Sequence, residues 1–318
     1  MTTPVFLTVD AALLWRHHTD RLDPAAIFAR SIEPAAVGLS FQLGRLAQYG
    51  LQASFFVDPM PALLFGLDPV RRMVDTILDA GQEVQLLLHP VWAGAAAGDG
   101  GAQHGRVALA DYAPEEQRDL IVGARDLLVA AGAPSPIAFR AGGFSANDDT
   151  LRTLATLGFS YDSSRDGSEG DVSGAVTLAS RAISPVAHCG ITEVPVTLIE
   201  EDVGALRGLR VAALSAGEIS AALDHAEAND HAAVTIVCDT AALANRAATR
   251  GNAIYVSRFE ALCTMLAERR ETLPTRRFDA RPALRLGQRD AALEPHHLRT
   301  GWRNAEQLWS TMVEERAA

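Results

Sequence analysis

Short apolar runs recur along this chain with helical segments between them, and that alternation is what most constrains its fold. The β-rich runs fall at 5–9, 53–57, 83–89, 136–140, 159–163, 193–198 and 232–237. Segments with apolar residues at helical spacing lie at 34–50, 68–80, 113–131, 147–157, 215–229 and 254–270. Several carry their own stops and starts. Asp68-Pro69 opens one helix and Gly81 follows it, and Ser215 with Glu218 forms a capping box. Strand and helix in alternation give parallel strands joined by crossover helices. At least six short strands over roughly 240 residues suit a β/α barrel better than a small open sheet. A doubly wound sheet is the alternative, but no GxGxxG follows any of the runs.

The 83–92 stretch, EVQLLLHPVW, shows where chemistry would sit. Proline cannot continue a ladder, so the strand stops at Pro90 and leaves His89 at its C-terminal mouth. Side chains alternate across a strand, which puts Leu87 on the same face as His89. Other runs also end in polar residues: Asp10, Asp58, Arg140, Asp162 and Asp239. A single Asp after a strand is usually a turn former or helix cap. A whole series on the C-terminal rim of a barrel instead predicts a polar pocket, because that rim carries the active site.

Composition excludes several functions. The net charge of −11 argues against a nucleic-acid role, since phosphate binding needs clustered cations, and against docking on anionic lipid. The three cysteines, Cys189, Cys238 and Cys263, form no CxxC pair, which fits a reducing compartment. The N-terminal MTTPVFLTVD lacks the features of a signal peptide, and no run approaches the roughly 20 apolar residues of a membrane span. The expectation is a cytoplasmic protein with no nucleic-acid or membrane partner. Two glycine-rich stretches, 94–105 and 164–174, read as loops.

The segments LTVDAALLWRHH, ASFFVDPMPA, GQEVQLLLHPVW, PIAFRAGGFSANDDTLRTLATLGFSYDSS, EVPVT and AALANRAATRGNAI resemble, in order, the polysaccharide deacetylases of the NodB-homology superfamily, carbohydrate esterase family 4. The resemblance implies an α/β fold, a distorted (β/α)7 barrel. It also implies a divalent metal, such as zinc, held by a carboxylate and two histidines, which activates water to remove an N-acetyl group. Carried over by position, Asp10 falls on the catalytic base, Arg140 on the arginine that orients it, and His89 on a metal histidine. Asp162 falls on a pocket-lining segment. Asp58, Trp92 and Phe144 are further pocket candidates.

The departures concern the metal. The acidic residue expected two positions after Asp10 is Ala12, the first histidine of HxH is Leu87, and Asp239 stands where a catalytic-acid histidine is expected. Zinc needs about three protein ligands and an open position. Asp10, His89 and Asp239 are the remaining donors, with His17 and His18 as substitutes able to swing in. The expectation is weak metal binding or none. The chain therefore reads as a deacetylase-like protein with an altered active site, descended from hydrolases of amide bonds in amino-sugar glycans. The alternatives are a metal-independent acid–base enzyme using Asp10, Arg140, His89 and Asp239, or a non-catalytic binder of glycans or metabolites. Residues 1–275 are expected to form the barrel. Residues 276–318 are expected to form an extension whose 304–316 helix packs Leu308, Trp309, Met312 and Val313 on the barrel or on a partner subunit, a homodimer being one form of the latter.

Overall fold

The computed structural model describes residues 2–96, 106–169, 176–202 and 204–315. Eight strands form one curled sheet in the order β10-β1-β2-β3-β4-β5-β7-β6. They are β1 (Val5–Ala11), β2 (Ser54–Val57), β3 (Glu83–Leu88), β4 (Ala138–Ala141), β5 (Tyr161–Asp162), β6 (Val186–His188), β7 (Ile191–Glu193) and β10 (Val234–Asp239). Seven run parallel and β6 turns back antiparallel at the edge. The expected barrel of parallel strands is present, curled and open at one seam.

That seam follows from one residue. The 193–198 run, read as a single strand, is divided by Pro195 into β7 and β8 (Leu198–Asp202). Proline has no N–H to continue the ladder. The chain leaves the main sheet there, and β8 pairs with β9 (Ala205–Gly208) in a separate antiparallel ribbon. Backbone bonds around this ribbon span the gap between β7 and β10. Thr197 N donates to Thr235 O at 3.2 Å, and Val237 N donates to Leu209 O at 2.9 Å.

Alternation along β1 makes two cores. Val5, Leu7, Val9 and Ala11 face outward and pack with the surrounding helices, whereas Phe6 faces into the barrel with Phe56, Leu87, Tyr161 and Phe278. Phe278 lies beyond residue 275 yet stacks on Phe6 with centroids 4.6 Å apart. Its backbone N–H and that of Asp279 donate to the Glu83 carboxyl, both at 2.9 Å. The inner face of the barrel thus carries an apolar layer around Phe6, Phe56, Leu87 and Phe278, with buried polar groups at Glu83 and Gln85 towards the start of β3 and others at the strand ends.

Of the two stretches read as loops, 91–96 is helical and 97–105 lie outside the described residues, as do 170–174. The C-terminal helix departs from one of the two packings expected of it, that on the barrel. It spans His297–Trp309, continues in a wider turn through Ser310–Glu314, and residue 316 lies outside the described residues. Leu308, Trp309 and Met312 are each at least 60 % exposed, so the apolar stripe does not pack on the barrel. The opposite, polar face does. Arg303 is buried against Glu201 and Glu218, Glu306 pairs with Arg258 at 2.7 Å, Asn252 Nδ2 donates to Ser310 Oγ at 2.7 Å, and Glu314 pairs with Arg250 at 2.8 Å. No helix among the described residues is long and apolar enough to cross a membrane.

Candidate active site

The strand ends of β1 and β10 lie side by side, with Asp10 opposite Asp239 in parallel register. Both residues, together with His89, line a cavity of about 400 Å³. Its remaining wall includes Arg16, Asn245, Arg246, Tyr255 and Glu315, so the C-terminal segment contributes to the pocket. A larger depression of about 670 Å³ lies elsewhere, between Arg181, Glu200, His225 and Asp290. There Glu200 is taken up by an ion pair with Arg181, and Asp290 accepts from Ala232 N and Gln288. The smaller cavity is the one at the C-terminal strand ends of the barrel.

Arg140 is fully buried inside the barrel. Its Nη1 donates to Asp10 Oδ1 at 2.7 Å and to Thr8 Oγ1 at 3.0 Å. Nε donates to Ser163 O and Nη2 to Ser163 Oγ, both at 3.0 Å. The guanidinium also lies over the Phe56 ring, 4.4 Å from its centroid. Its contact with Asp10 is through one oxygen rather than a two-pronged fork. Arg140 thus holds Asp10 through Oδ1 while the residue lines the cavity.

His89 is fixed from behind. Its Nδ1 meets Asp58 Oδ2 at 2.9 Å, and Asp58 Oδ1 accepts from Met60 N at 3.0 Å. Removal of solvent opposes charge on the ring, but the Asp58 hydrogen bond and the charges of Asp58 and Asp10 outweigh it, and the His89 pKa is raised. Gly142 explains how closely the ring is seated: a Cβ there would lie 2.2–2.6 Å from His89 ring atoms. Gly142→Ala is therefore expected to push His89 off Asp58 and to destabilise the fold by about 1–3 kcal/mol. Urea unfolding and the His89 ring resonances would check both.

Asp239 is exposed to the pocket but densely surrounded by protein. Burial and the neighbouring Asp10 carboxylate push its pKa up to about 6, against the effect of the Ala241 N–H that it accepts at 3.0 Å.

The four residues expected to line the pocket do not. Asp58 and Asp162 are fully buried and Trp92 nearly so. Asp58 orients His89, and Trp92 packs edge-on against Trp15 with centroids 5.0 Å apart. Half-buried Phe144 lies between two cations, 5.4 Å from Arg140 and 4.5 Å from Arg210. His17 and His18 do not swing in. His17 is buried with Nδ1 3.2 Å from Ser31 Oγ, and the His18 ring lies 4.9 Å from Trp15.

Sequence reading missed Glu193. It is buried beside Asp162, and the two carboxyls interact directly. Burial and the Asp162 charge raise the Glu193 pKa well above the usual range, and burial raises that of Asp162. Two buried carboxyls in contact resist ionising together. A carboxyl whose folded pKa is raised stabilises the fold fully below the ordinary glutamate value, about 4.3, and loses that contribution as pH rises through the folded value. Glu193→Gln is expected to flatten this loss between pH 4 and 9, as read from thermal midpoints across the range. A variant with the same slope as the parent would contradict it.

A structure described as a "putative polysaccharide deacetylase" from Mycobacterium smegmatis superposes with a TM-score of 0.53 at 17% identity, covering 96% of this chain and 91% of that one. This chain has the polysaccharide deacetylase fold. The family 4 carbohydrate esterase from Streptomyces lividans, in complex with acetate, gives a TM-score of 0.44 at 13% identity, covering 92% of this chain and 98% of that one. A family 4 pseudoenzyme from Bacillus anthracis gives 0.42 at 12% identity, covering 94% and 66%. No family model matches the sequence, and no curated protein does.

A deacetylase fold implies a metal, and the donors at its pocket do not fit one. Leu87 is buried in the inner apolar cluster, with Ala12 packed against the same cluster. Asp10, His89 and Asp239 are not among the described groups whose donor atoms all lie within 4.8 Å of one another. A tetrahedral cation needs donors about that close or closer. Among the described residues, Asp148, His188 and Cys189 alone meet that criterion, and none of them lines the cavity.

Proposed function

We propose that this deacetylase-fold chain is a metal-independent acid–base enzyme acting on a small polar ligand of carbohydrate or metabolite class. The observation that carries the reading is the pairing of Asp10 with Asp239 across β1 and β10, one carboxylate bound to Arg140 and the other raised to about 6. Two carboxyls in unlike environments can divide the roles of base and acid. Asp10, oriented by Arg140, would take a proton from the ligand. Asp239, protonated below about pH 6, would deliver one to the departing group. His89 in its cationic form would hold negative charge that develops between them.

Metal-dependent removal of an N-acetyl group is the reading this replaces, because apolar Leu87 and Ala12 stand where donors would be needed. The test pairs acetate release from N-acetylated amino sugars, with and without chelator, with a screen of sugar and sugar-acid substrates. Chelator-insensitive turnover that falls as pH rises through about 6 is expected. Chelator-sensitive acetate release lost on Asp10→Asn would restore the ancestral reaction.

A further inference from the structure

At the sheet edge, outside the pocket just described, three potential ligands of different chemistry converge. Asp148 opens the Asp148–Thr156 helix, His188 ends β6, and Cys189 follows in the turn to β7. One donor atom from each lies within 4.8 Å of the others, and His188 Nε2 is 2.9 Å from Asp148 Oδ1. We propose that Asp148, His188 and Cys189 bind one zinc-class divalent cation, clipping the β6–β7 hairpin to the start of that helix.

The donor set selects the metal. One carboxylate oxygen, one imidazole nitrogen and one sulfur suit a borderline-soft ion such as Zn²⁺, whereas Mg²⁺ and Ca²⁺ take oxygen ligands. The carboxylate and a thiolate together balance the 2+ charge. All three residues are partly exposed, so solvent reaches the fourth tetrahedral position. Binding is balanced in protons: in the free chain His188 Nε2–H donates to the Asp148 carboxylate, so on binding the ring exchanges to the tautomer protonated on Nδ1 and frees Nε2 for the cation, while the Cys189 S–H bond breaks, its proton leaves to solvent, and a sulfur–metal bond forms.

The surroundings hold the ligands in place. Asn147 caps the helix by accepting from Thr150 N at 2.9 Å. Thr177 donates to the Asp148 carboxylate through its N–H at 3.0 Å and through its hydroxyl at 2.6 Å, orienting the ligand as an outer shell does. The hairpin closes in two residues, Cys189 at φ 48° and Gly190 at φ 87°, with His188 paired to Ile191. Such a turn favours Asn or Gly at its first position. A cysteine there tolerates a left-handed backbone that its side chain does not favour, and the turn carries it beside Asp148.

The donors around Asp10 do not form a cation site, so this site stands independently of the proposed reaction. The experiment uses the whole chain dialysed against Zn²⁺, with elemental analysis, and a parallel titration with Co²⁺ followed by absorbance. About one metal per chain and a sulfur-to-cobalt band in the near ultraviolet are expected. Cys238 and Cys263 are buried, so that band reports Cys189. Cys189→Ser should abolish the band, and either Cys189→Ser or Asp148→Asn should weaken Zn²⁺ binding at least about tenfold. Asp10→Asn should leave uptake unchanged. No stoichiometric uptake, uptake unaffected by both site variants, or uptake lost on Asp10→Asn would each overturn the proposal. The Asp148→Asn arm decides the matter if Cys189→Ser does not fold.

Discussion

Arg140→Met is expected to lower stability by about 3–5 kcal/mol, the range for removing one partner of a buried charge pair. The size follows from what is left behind. Asp10 loses its counter-charge, and the Ser163 carbonyl, Ser163 hydroxyl and Thr8 hydroxyl lose a donor in the barrel interior. Methionine fills much of the volume but donates nothing. Arg140→Lys should recover only part, since an ammonium cannot reach Thr8, Asp10 and Ser163 together with the reach of a planar guanidinium. Adding Asp10→Asn to Arg140→Met should recover part of the loss, because the stranded charge is then gone. Urea unfolding of the four proteins measures all three differences. A loss under about 1 kcal/mol for Arg140→Met would mean that Asp10 is adequately solvated without its partner.

Asp10→Asn alone is expected to reduce turnover by about 10²–10⁴-fold, the usual contribution of a positioned proton-transfer group. It has a second effect that requires no substrate. The Asp10 charge is one of the causes that raise Asp239, so the Asp239 pKa should fall from about 6 towards the ordinary aspartate range. Carboxyl-carbon NMR titration reads this directly. An unmoved Asp239 titration would separate the two carboxylates electrically and remove the basis of the acid–base pairing.

The sequence made the rim legible because strand ends in a barrel converge, so polar residues marking those ends meet without further information. Asp10 and Arg140, 130 positions apart, are paired in advance through the family resemblance, and the convergence of strand ends is what lets them meet. The same logic extends to Asp58 and His89, which end adjacent strands β2 and β3 and do bond, although each was read singly. Glu193 had a signal too: an acidic residue opening the 193–198 run, one strand from Asp162. What composition along one element cannot show is which of its faces finds better partners. The C-terminal helix has an apolar stripe and would be expected to bury it. Arg303, Ser310 and Glu314 instead find partners on the barrel, contributed by residues up to 102 positions away.

The sheet itself offers no ladder for another chain to extend. On one side it ends in β6, three residues long and reversed in direction. On the other, the backbone groups of β10 are already engaged by the segment around the β8–β9 ribbon. Exposed edges are where β-proteins recruit copies of themselves by strand addition, and short or covered edges remove that route. Among the described residues, side chains thus offer self-association more surface than the main sheet's edges do. Among the described residues, Leu298, Trp302, Leu308, Trp309 and Met312 are the most exposed large apolar groups, so solubility should respond far more to substitutions there than to any change along the strands.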